Sequence, residues 1–246
     1  EEAGKDIKIE QVKEMAKQAA FAPVLSEHKV CIIDDAGQMT AEAANSLLKL
    51  LEEPPPGWLF ILITQQAERL LPTVLSRVVR LRFDAPDNSA VQQILEAKGI
   101  VQNTRVLAAL AGGSPGRALS YNQADIFAIR REALDLLKKL PLQNPFGYIA
   151  ALGWGEKYDR AAALLLTEQF IYLLRDVLLL QSGAGGQVHN TDIMAGLDGI
   201  AADWPLHTAR QGVNAAQEAW QNINKNVSAK NVLEALVLKL DLLRKE

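Results

Sequence analysis

The chain has 246 residues, of which 49% are apolar and 22% charged, and its formal net charge at pH 7 is −3. This length allows one to three domains with cores of their own, and the small negative charge gives no overall attraction to nucleic acid. The single cysteine, Cys31, excludes a disulfide framework within the chain and a cysteine-rich zinc site.

Helical and strand patterns alternate in the first third of the chain. Apolar residues at helical spacing predict a helix from about Ile9, which Pro23 closes. Thr40 is placed to cap a second helix, and three consecutive prolines, starting at Pro54, end it. The predicted strands are Val30–Ile33, Leu59–Ile63 and Val78–Phe83. Strands that alternate with helices predict a parallel sheet with helical crossovers.

After Asp84 the sequence predicts only helices. DAPDNS is interpreted as a linker, two or three short helices follow it, and GGSPG, from Gly112, predicts a turn that starts a helix. The periodicity is helical from about Ile126, and Gly183–Gly186 predicts a flexible joint. Longer helices are predicted over Glu156–Gln181, Pro205–Asn224 and, after a Ser228 cap, Ala229–Arg244. The predicted fold class is therefore α/β plus all-α, with a helical bundle at the end.

Polar side chains follow two of the predicted strands. Asp34 and Asp35 come directly after the first strand, at the edge of a parallel sheet where ligands bind. Carboxylates there can hold Mg²⁺ or orient an attacking water; the alternative is that both are solvated turn residues. Thr64 ends the neighbouring strand, where it either senses a γ-phosphate or satisfies backbone groups of the strand end.

Two arginines are candidates for binding phosphate. Arg77 follows a short predicted helix, LLPTVLS, and from the rim of the sheet it would stabilise phosphate charge in a neighbouring subunit. The alternative is a surface arginine beside the equally basic Arg80 and Arg82. Arg117, in GGSPGRAL, lies at the start of a helix, where backbone amides and its guanidinium would both face an anion. The alternative is that this segment only starts the helix, with its glycines and proline forming the turn. The histidines show no metal-ligand spacing, so no metal site is predicted.

A set of segments in a fixed order is more specific than any one of these residues. IKIEQVKEM, KVCIIDDAGQMTAEAANSLLKLLEEPP, FILIT, LLPTVLSR and GGSPGRAL together resemble the bacterial clamp-loader AAA+ family of DNA polymerase III. NVSAKNVLEALVLKL resembles the end of that family's helical collar. The resemblance implies part of an AAA+ domain over residues 1–84, a small helical lid over 85–125 and a collar that mediates oligomerisation over 126–246.

The resemblance also implies roles for individual residues. It matches Asp34 and Asp35 to the Walker B acids, Thr64 to the sensor 1 region, Ser76 and Arg77 to the SRC motif, and Arg117 to sensor 2. There are two departures from the family pattern. Asp35 replaces the usual glutamate, which puts activation of water in doubt, and Val78 replaces the cysteine of the SRC motif.

The family's phosphate-binding loop and four-cysteine zinc module would both precede Ile7, and neither is in the printed sequence. We therefore expect an N-terminally truncated chain that holds no cofactor by itself. ATP and Mg²⁺ would bind only with the missing N-terminal part. The chain is then not catalytic alone but an accessory subunit of a DNA polymerase holoenzyme, a nucleotidyltransferase.

The function implied by the resemblance is that of a structural partner in loading the sliding clamp onto primed DNA during replication. Arg77 would act as an arginine finger for a neighbouring ATPase subunit. The implied partners are the gamma/tau and delta subunits, with the clamp and primed DNA reached through the complex. The alternative is a gamma/tau-type motor ATPase. A cytoplasmic location is expected, because a chain with a single cysteine fits a reducing compartment. No membrane partner is expected, because charged residues interrupt the most apolar stretch, Ala161–Leu180.

Overall fold

The computed structural model describes residues 6–19, 21 and 27–245, and for residues 155 and 156 it describes only the backbone. The chain divides into two compact units, the first ending at Phe83 and the second starting at Asp84. In the described residues the first unit combines a two-stranded parallel sheet with helices, and the second is helical. The α/β-plus-all-α class is confirmed. The finer division into three domains stays a prediction.

The first unit contains β1 (Lys29–Ile33), β2 (Trp58–Leu62), α1 (Ile9–Ala19), α2 (Ala41–Glu52) and α3 (Pro72–Leu75). Short 3-10 turns cover Ala36–Gln38 and Ala67–Arg69. The second unit begins with α4 (Asn88–Ala97), α5 (Thr104–Ala111) and α6 (Pro115–Gln123). It continues with α7 (Ile126–Lys139), α8 (Pro145–Leu152), α9 (Trp154–Lys157), α10 (Arg160–Gln181), α11 (Met194–Asp203), α12 (Leu206–Asn224) and α13 (Ala229–Leu243).

One face of the sheet forms the core of the first unit. β1 and β2 run parallel, with Ile33 opposite Leu62. Ile33 is buried in one apolar cluster with Val12 of α1 and Leu47 of α2. The amide of Ala43 donates to Thr40 Oγ1 at 3.2 Å, which confirms the predicted cap of α2. Pro23, the predicted end of α1, lies outside the described residues.

The opposite face of the sheet is apolar and exposed. Val30 and Ile32 of β1 are 53% and 60% exposed, and Leu59 and Ile61 of β2 are 51% and 39% exposed. Side chains alternate between the two faces of a strand, so these four share the face that does not pack on α1 and α2. Parallel sheets are normally covered on both faces. The described residues therefore cover one face of this sheet and leave the other to solvent.

The prediction of a third strand over Val78–Phe83 is wrong. The segment has no regular secondary structure, and Val79 and Phe83 are 89% and 90% exposed. Its alternation of apolar and basic residues is typical of a half-buried strand, but a strand also needs a neighbour for its backbone N–H and C=O groups. In the described part of the chain, β1 and β2 pair only with each other.

Three short helices, α4 to α6, follow the first unit, as predicted. Ser114 caps α6 by accepting from the Arg117 amide at 3.3 Å. Gly112 and Gly113 before it have φ of 58° and 82°, the left-handed region that favours glycine. A Cβ on Gly113 would lie 2.7 Å from the Pro86 carbonyl oxygen. The GGSPG turn is therefore confirmed, and its second glycine is required for close approach of the backbone.

Helix α10 lies at the centre of the second unit and packs against α7, α11 and α12. Its fully buried side chains include Leu166, Phe170, Leu173, Leu174 and Val177. A Cβ on Gly212 of α12 would lie 3.0 Å from Leu174 Cδ1, so the glycine lets α10 and α12 approach closely. Within the described ranges, no helix is both long enough and apolar enough to cross a membrane.

The predicted start of one long helix and the predicted cap of another need correction. α10 begins at Arg160 rather than Glu156, because Asp159 caps it by accepting from the Ala162 amide at 2.8 Å. The residues before that cap form the separate helix α9. α13 begins after Ser228, as predicted, but the Ser228 side chain makes no capping hydrogen bond.

The segment after the predicted glycine joint is fixed to two helices by buried polar groups. The carboxylate of Asp176, fully buried on α10, accepts from the amides of His189 and Asn190 and, at 2.7 Å, from Asn190 Nδ2. Arg130 of α7, 4% exposed, donates to Asn190 Oδ1 at 2.9 Å and pairs with Asp192. The Asp176 carboxylate and the Arg130 guanidinium both have hydrogen-bond partners, which is what allows charged groups to be buried.

Candidate functional site

The two candidate acids lie where the sequence predicts them, at the carboxyl edge of the sheet. Asp34 and Asp35 directly follow β1, and both are exposed. The Asp35 amide donates to Asp34 Oδ1 at 2.9 Å, and Asp35 has a left-handed φ of 50°. The next amide, of Ala36, donates to the Ile63 carbonyl at 2.8 Å. The acidic turn is therefore tied to the end of β2.

Thr64 lies beside this acidic turn. A Cβ on Gly37 would lie 3.1 Å from Thr64 Oγ1, so the absence of a side chain on Gly37 makes room for the hydroxyl. The hydroxyl donates to the Gln66 carbonyl at 3.1 Å and accepts from the Gln66 amide at 3.2 Å. Its hydrogen bonds are thus made to the loop after β2. The structure brings Thr64, Asp34 and Asp35 together at one edge, and sensing of phosphate stays a prediction.

Arg77 lies just after α3 and is held by groups of its own unit. Its Nε donates to Glu52 Oε1 at 2.7 Å, and its NH2 pairs with the same oxygen. Its NH1 donates to the Thr73 carbonyl at 2.8 Å and to Ser76 Oγ at 3.2 Å. The side chain is still 32% exposed. The guanidinium is therefore ordered but reachable from solvent.

The partner of Arg77 was missed at the sequence level. Glu52 ends α2, immediately before Glu53 and the prolines that stop the helix. The only signal was this pair of acids at a helix end. Like Glu53, Glu52 could equally have faced solvent, since nothing in the sequence indicates which of the two turns toward α3.

Arg117 lies in the second unit and links α6 to α10. Its Nε donates to the Tyr121 hydroxyl at 2.6 Å, and its NH2 donates to the Tyr172 hydroxyl at 2.8 Å and pairs with Glu168. The Tyr121 hydroxyl donates to the other oxygen of Glu168. Burial, together with this carboxylate, raises the pKa of both Tyr121 and Tyr172, so both phenols stay protonated. The guanidinium therefore binds a carboxylate and two phenols at a contact between helices.

These residues do not make a complete site for ATP and Mg²⁺. Carboxylate and hydroxyl oxygens, such as those of Asp34, Asp35 and Thr64, are of the kind that Mg²⁺ takes. A phosphate site also needs a loop of backbone amides and a lysine, and the printed sequence contains no G-x-x-x-x-G-K-[ST] motif. In the described ranges, no three or more His, Cys, Asp or Glu side chains are grouped so that they could hold a metal ion.

Comparisons with known proteins give a consistent result. Residues 1–87 match the model of a family described as "DNA polymerase III, delta subunit". Over 240 residues the chain is 28% identical to DNA polymerase III subunit delta' of Bacillus subtilis, a match that covers 96% of this chain and 73% of that protein. Over 219 residues it is 33% identical to DNA polymerase III subunit delta' of Escherichia coli K12, covering 87% of this chain and 62% of that protein.

The fold has a counterpart among solved structures. A gamma subunit-related protein of DNA polymerase III from Thermotoga maritima superposes with a TM-score of 0.50 at 19% identity, over 99% of this chain and 82% of that chain. This likeness concerns the fold alone. On the sequence comparisons, the chain is similar to the delta' subunits of DNA polymerase III, as the sequence motifs predicted.

Proposed function

We propose that this chain is a clamp-loader subunit of the delta' kind, which acts as an assembly partner in loading a sliding clamp onto primed DNA. The observation that carries the proposal is the match to the Bacillus subtilis delta' subunit, which extends over 96% of this chain and so includes both compact units. Asp35, which stands where the family pattern has glutamate, supports a partner rather than a motor, because the shorter carboxylate is less suited to activating an attacking water.

In this proposal Arg77 serves the ATP of a neighbouring subunit. Phosphoryl transfer depends on positioning and on neutralising the charge that develops on the phosphate oxygens, and an arginine supplied by a second molecule can do the latter. Arg77 suits this role because its guanidinium is ordered by Glu52 and still 32% exposed. The acidic turn at Asp34 and Asp35 is then the remainder of a nucleotide site that this subunit does not need for its own work.

The first prediction concerns the binding and hydrolysis of ATP by this chain. The chain of 246 residues should bind ATP only weakly and should not hydrolyse it, because it lacks the amides and the lysine that hold phosphate. Titration with a fluorescent ATP analogue, with and without Mg²⁺, measures the affinity. Asp34→Ala is compared with Asp198→Ala, which removes an exposed acid of the second unit. Mg²⁺-dependent binding that only Asp34→Ala abolishes would show that these 246 residues form a nucleotide site after all.

The second prediction tests the proposed function through assembly. We propose that the helical unit makes the main contacts with the gamma/tau and delta subunits, as the resemblance to a collar implies. A cut between Phe83 and Asp84 separates the two compact units without dividing the apolar cluster that runs from Val91 to Leu240. Residues 84–246 should then co-purify with the partner subunits in gel filtration and native mass spectrometry, whereas residues 1–83 should not.

The two fragments control for each other in this experiment, and circular dichroism shows whether each one folds. The intact full-length protein serves as the positive control and should form a complex of fixed stoichiometry. Assembly through residues 1–83 alone would show that the collar is assigned to the wrong unit. Failure of the full-length protein to bind either partner would contradict the clamp-loader proposal as a whole.

A further inference from the structure

The guanidinium of Arg77 is held from two sides. Of its five N–H donors, those on Nε and NH2 face Glu52 Oε1, and NH1 donates to the Thr73 carbonyl and to Ser76 Oγ. The contacts to Thr73 and Ser76 come from the same short helix and its end, so they move with Arg77. Glu52 is the one contact among these that ties Arg77 to a different element of the fold.

Both ends of the Glu52–Arg77 pair are anchored by buried residues. Glu52 ends α2, in which Leu47 is fully buried. Arg77 follows α3, in which Val74 is fully buried, and α2 and α3 pack against each other. The spacing of the two side chains is therefore set by the core of the first unit and not by the flexibility of a loop.

We propose that Glu52 is a positioning residue for Arg77. It fixes the guanidinium at the rim of the first unit in one orientation, so that the exposed part of the side chain is already placed for a phosphate of the neighbouring subunit. A long arginine side chain that is free in solution must be ordered before it can meet a charge, and holding it beforehand removes that cost from the reactive complex. This inference rests on the proposed function, in which Arg77 acts on the ATP of a partner.

The position next to Glu52 offers a matched control. Glu53 is also exposed and acidic and also lies at the end of α2, but in the described part of the chain its carboxylate has no ion pair or hydrogen bond that reaches Arg77. Glu52→Gln and Glu53→Gln change the charge of the subunit equally. Only Glu52→Gln removes the carboxylate that holds the guanidinium, so a difference between the two variants reports on positioning.

The experiment uses the full-length protein, reconstituted with its partner subunits, clamp and primed DNA. Steady-state ATP hydrolysis is measured for wild type, Glu52→Gln, Glu53→Gln, Arg77→Ala and the double variant Glu52→Gln/Arg77→Ala. We expect Glu52→Gln to lower kcat about two- to five-fold, with an unchanged KM for ATP, because misplacement of one group weakens the reaction and not the binding of ATP by the neighbour. Glu53→Gln should match wild type, and the double variant should match Arg77→Ala.

Three results would overturn the inference, and they can be told apart. If Arg77→Ala lowers kcat but Glu52→Gln does not, positioning by Glu52 is wrong and the role of Arg77 stands. If Glu52→Gln raises kcat, Glu52 masks Arg77 rather than placing it. If Arg77→Ala has no effect, the proposed role of Arg77 fails and positioning fails with it.

A second variant and a stability measurement distinguish loss of positioning from a general loss of structure. Ser76→Ala removes only one contact to NH1 and leaves the contact with Glu52, so it should lower kcat less than Glu52→Gln does. Thermal unfolding and native mass spectrometry of each variant check that the subunit folds and assembles. A Glu52→Gln subunit that loses kcat only because assembly fails would contradict positioning, since Glu52 is 48% exposed and outside the core.

Discussion

Replacing Arg77 by alanine should reduce the clamp- and DNA-stimulated ATP hydrolysis of the reconstituted complex and leave its assembly intact. An arginine supplied to a neighbouring NTPase site contributes on the order of 10³ to 10⁵ in rate. The loss here should be smaller, because the other ATP sites of a clamp loader would keep their own arginines. The fold should survive, since the side chain is 32% exposed and pairs with a carboxylate that is itself 48% exposed.

Two further variants make the Arg77 result specific. Arg77→Lys should not restore hydrolysis, because a lysine ammonium is a point charge without the planar fork of the guanidinium. Arg80→Ala, which removes an exposed arginine from the same unit, should leave hydrolysis unchanged. Assembly is checked by gel filtration before hydrolysis is measured. Equal hydrolysis by wild-type and Arg77→Ala complexes would show that Arg77 is a surface arginine with no role in ATP hydrolysis.

Replacing Asp176 by alanine should lower the free energy of unfolding of the protein by about 3 kcal/mol or more, because it leaves several buried N–H groups without an acceptor. The carboxylate is fully buried and accepts from the amides of His189 and Asn190 and from the Asn190 side chain. Its loss should release the segment that connects α10 to α11. Urea denaturation followed by circular dichroism measures the change.

Asp198→Ala is the control for this prediction. Asp198 is an exposed acid in α11, next to the same segment of the fold. Removing an exposed side chain of this kind should change the free energy of unfolding by no more than about 0.5 kcal/mol. If Asp176→Ala and Asp198→Ala were equally stable, the buried carboxylate would not be what fixes the segment.

The elements that the sequence predicted correctly are those that local chemistry decides. The Thr40 cap, the proline stop after α2 and the glycine turn before α6 depend on residues within a few positions of one another. The strand at Val78–Phe83 failed because its alternating pattern carries no information about whether a neighbouring strand is present. The start of α10 failed because the helical pattern runs on through α9, while only the Asp159 cap separates the two helices.

In the candidate site too, the sequence predicted what local patterns decide and missed contacts between distant residues. Asp34 and Thr64 were expected at one edge, because the carboxyl ends of parallel strands meet there, and the structure places them so. The partner of Arg77 lies 25 positions away in sequence, and the Glu168 partner of Arg117 lies 51 positions away. Such pairs depend on how helices pack, which no local pattern encodes.

The contacts of Arg117 bear on its implied role. The resemblance matches it to sensor 2, a residue that faces nucleotide, and this role stays a prediction. In the structure its guanidinium binds Glu168, Tyr121 and Tyr172 between α6 and α10. These contacts use the donors on Nε and NH2, so NH1 is the nitrogen that would contact a phosphate without displacing them.

The central claim is that this subunit is needed for loading a clamp. The most direct measurement is the amount of sliding clamp placed on primed DNA by the gamma/tau and delta subunits, with and without the full-length protein. We expect little loading when it is omitted, full loading when the wild-type protein is added back, and reduced loading with Arg77→Ala. Loading that proceeds equally well without the protein would contradict the claim.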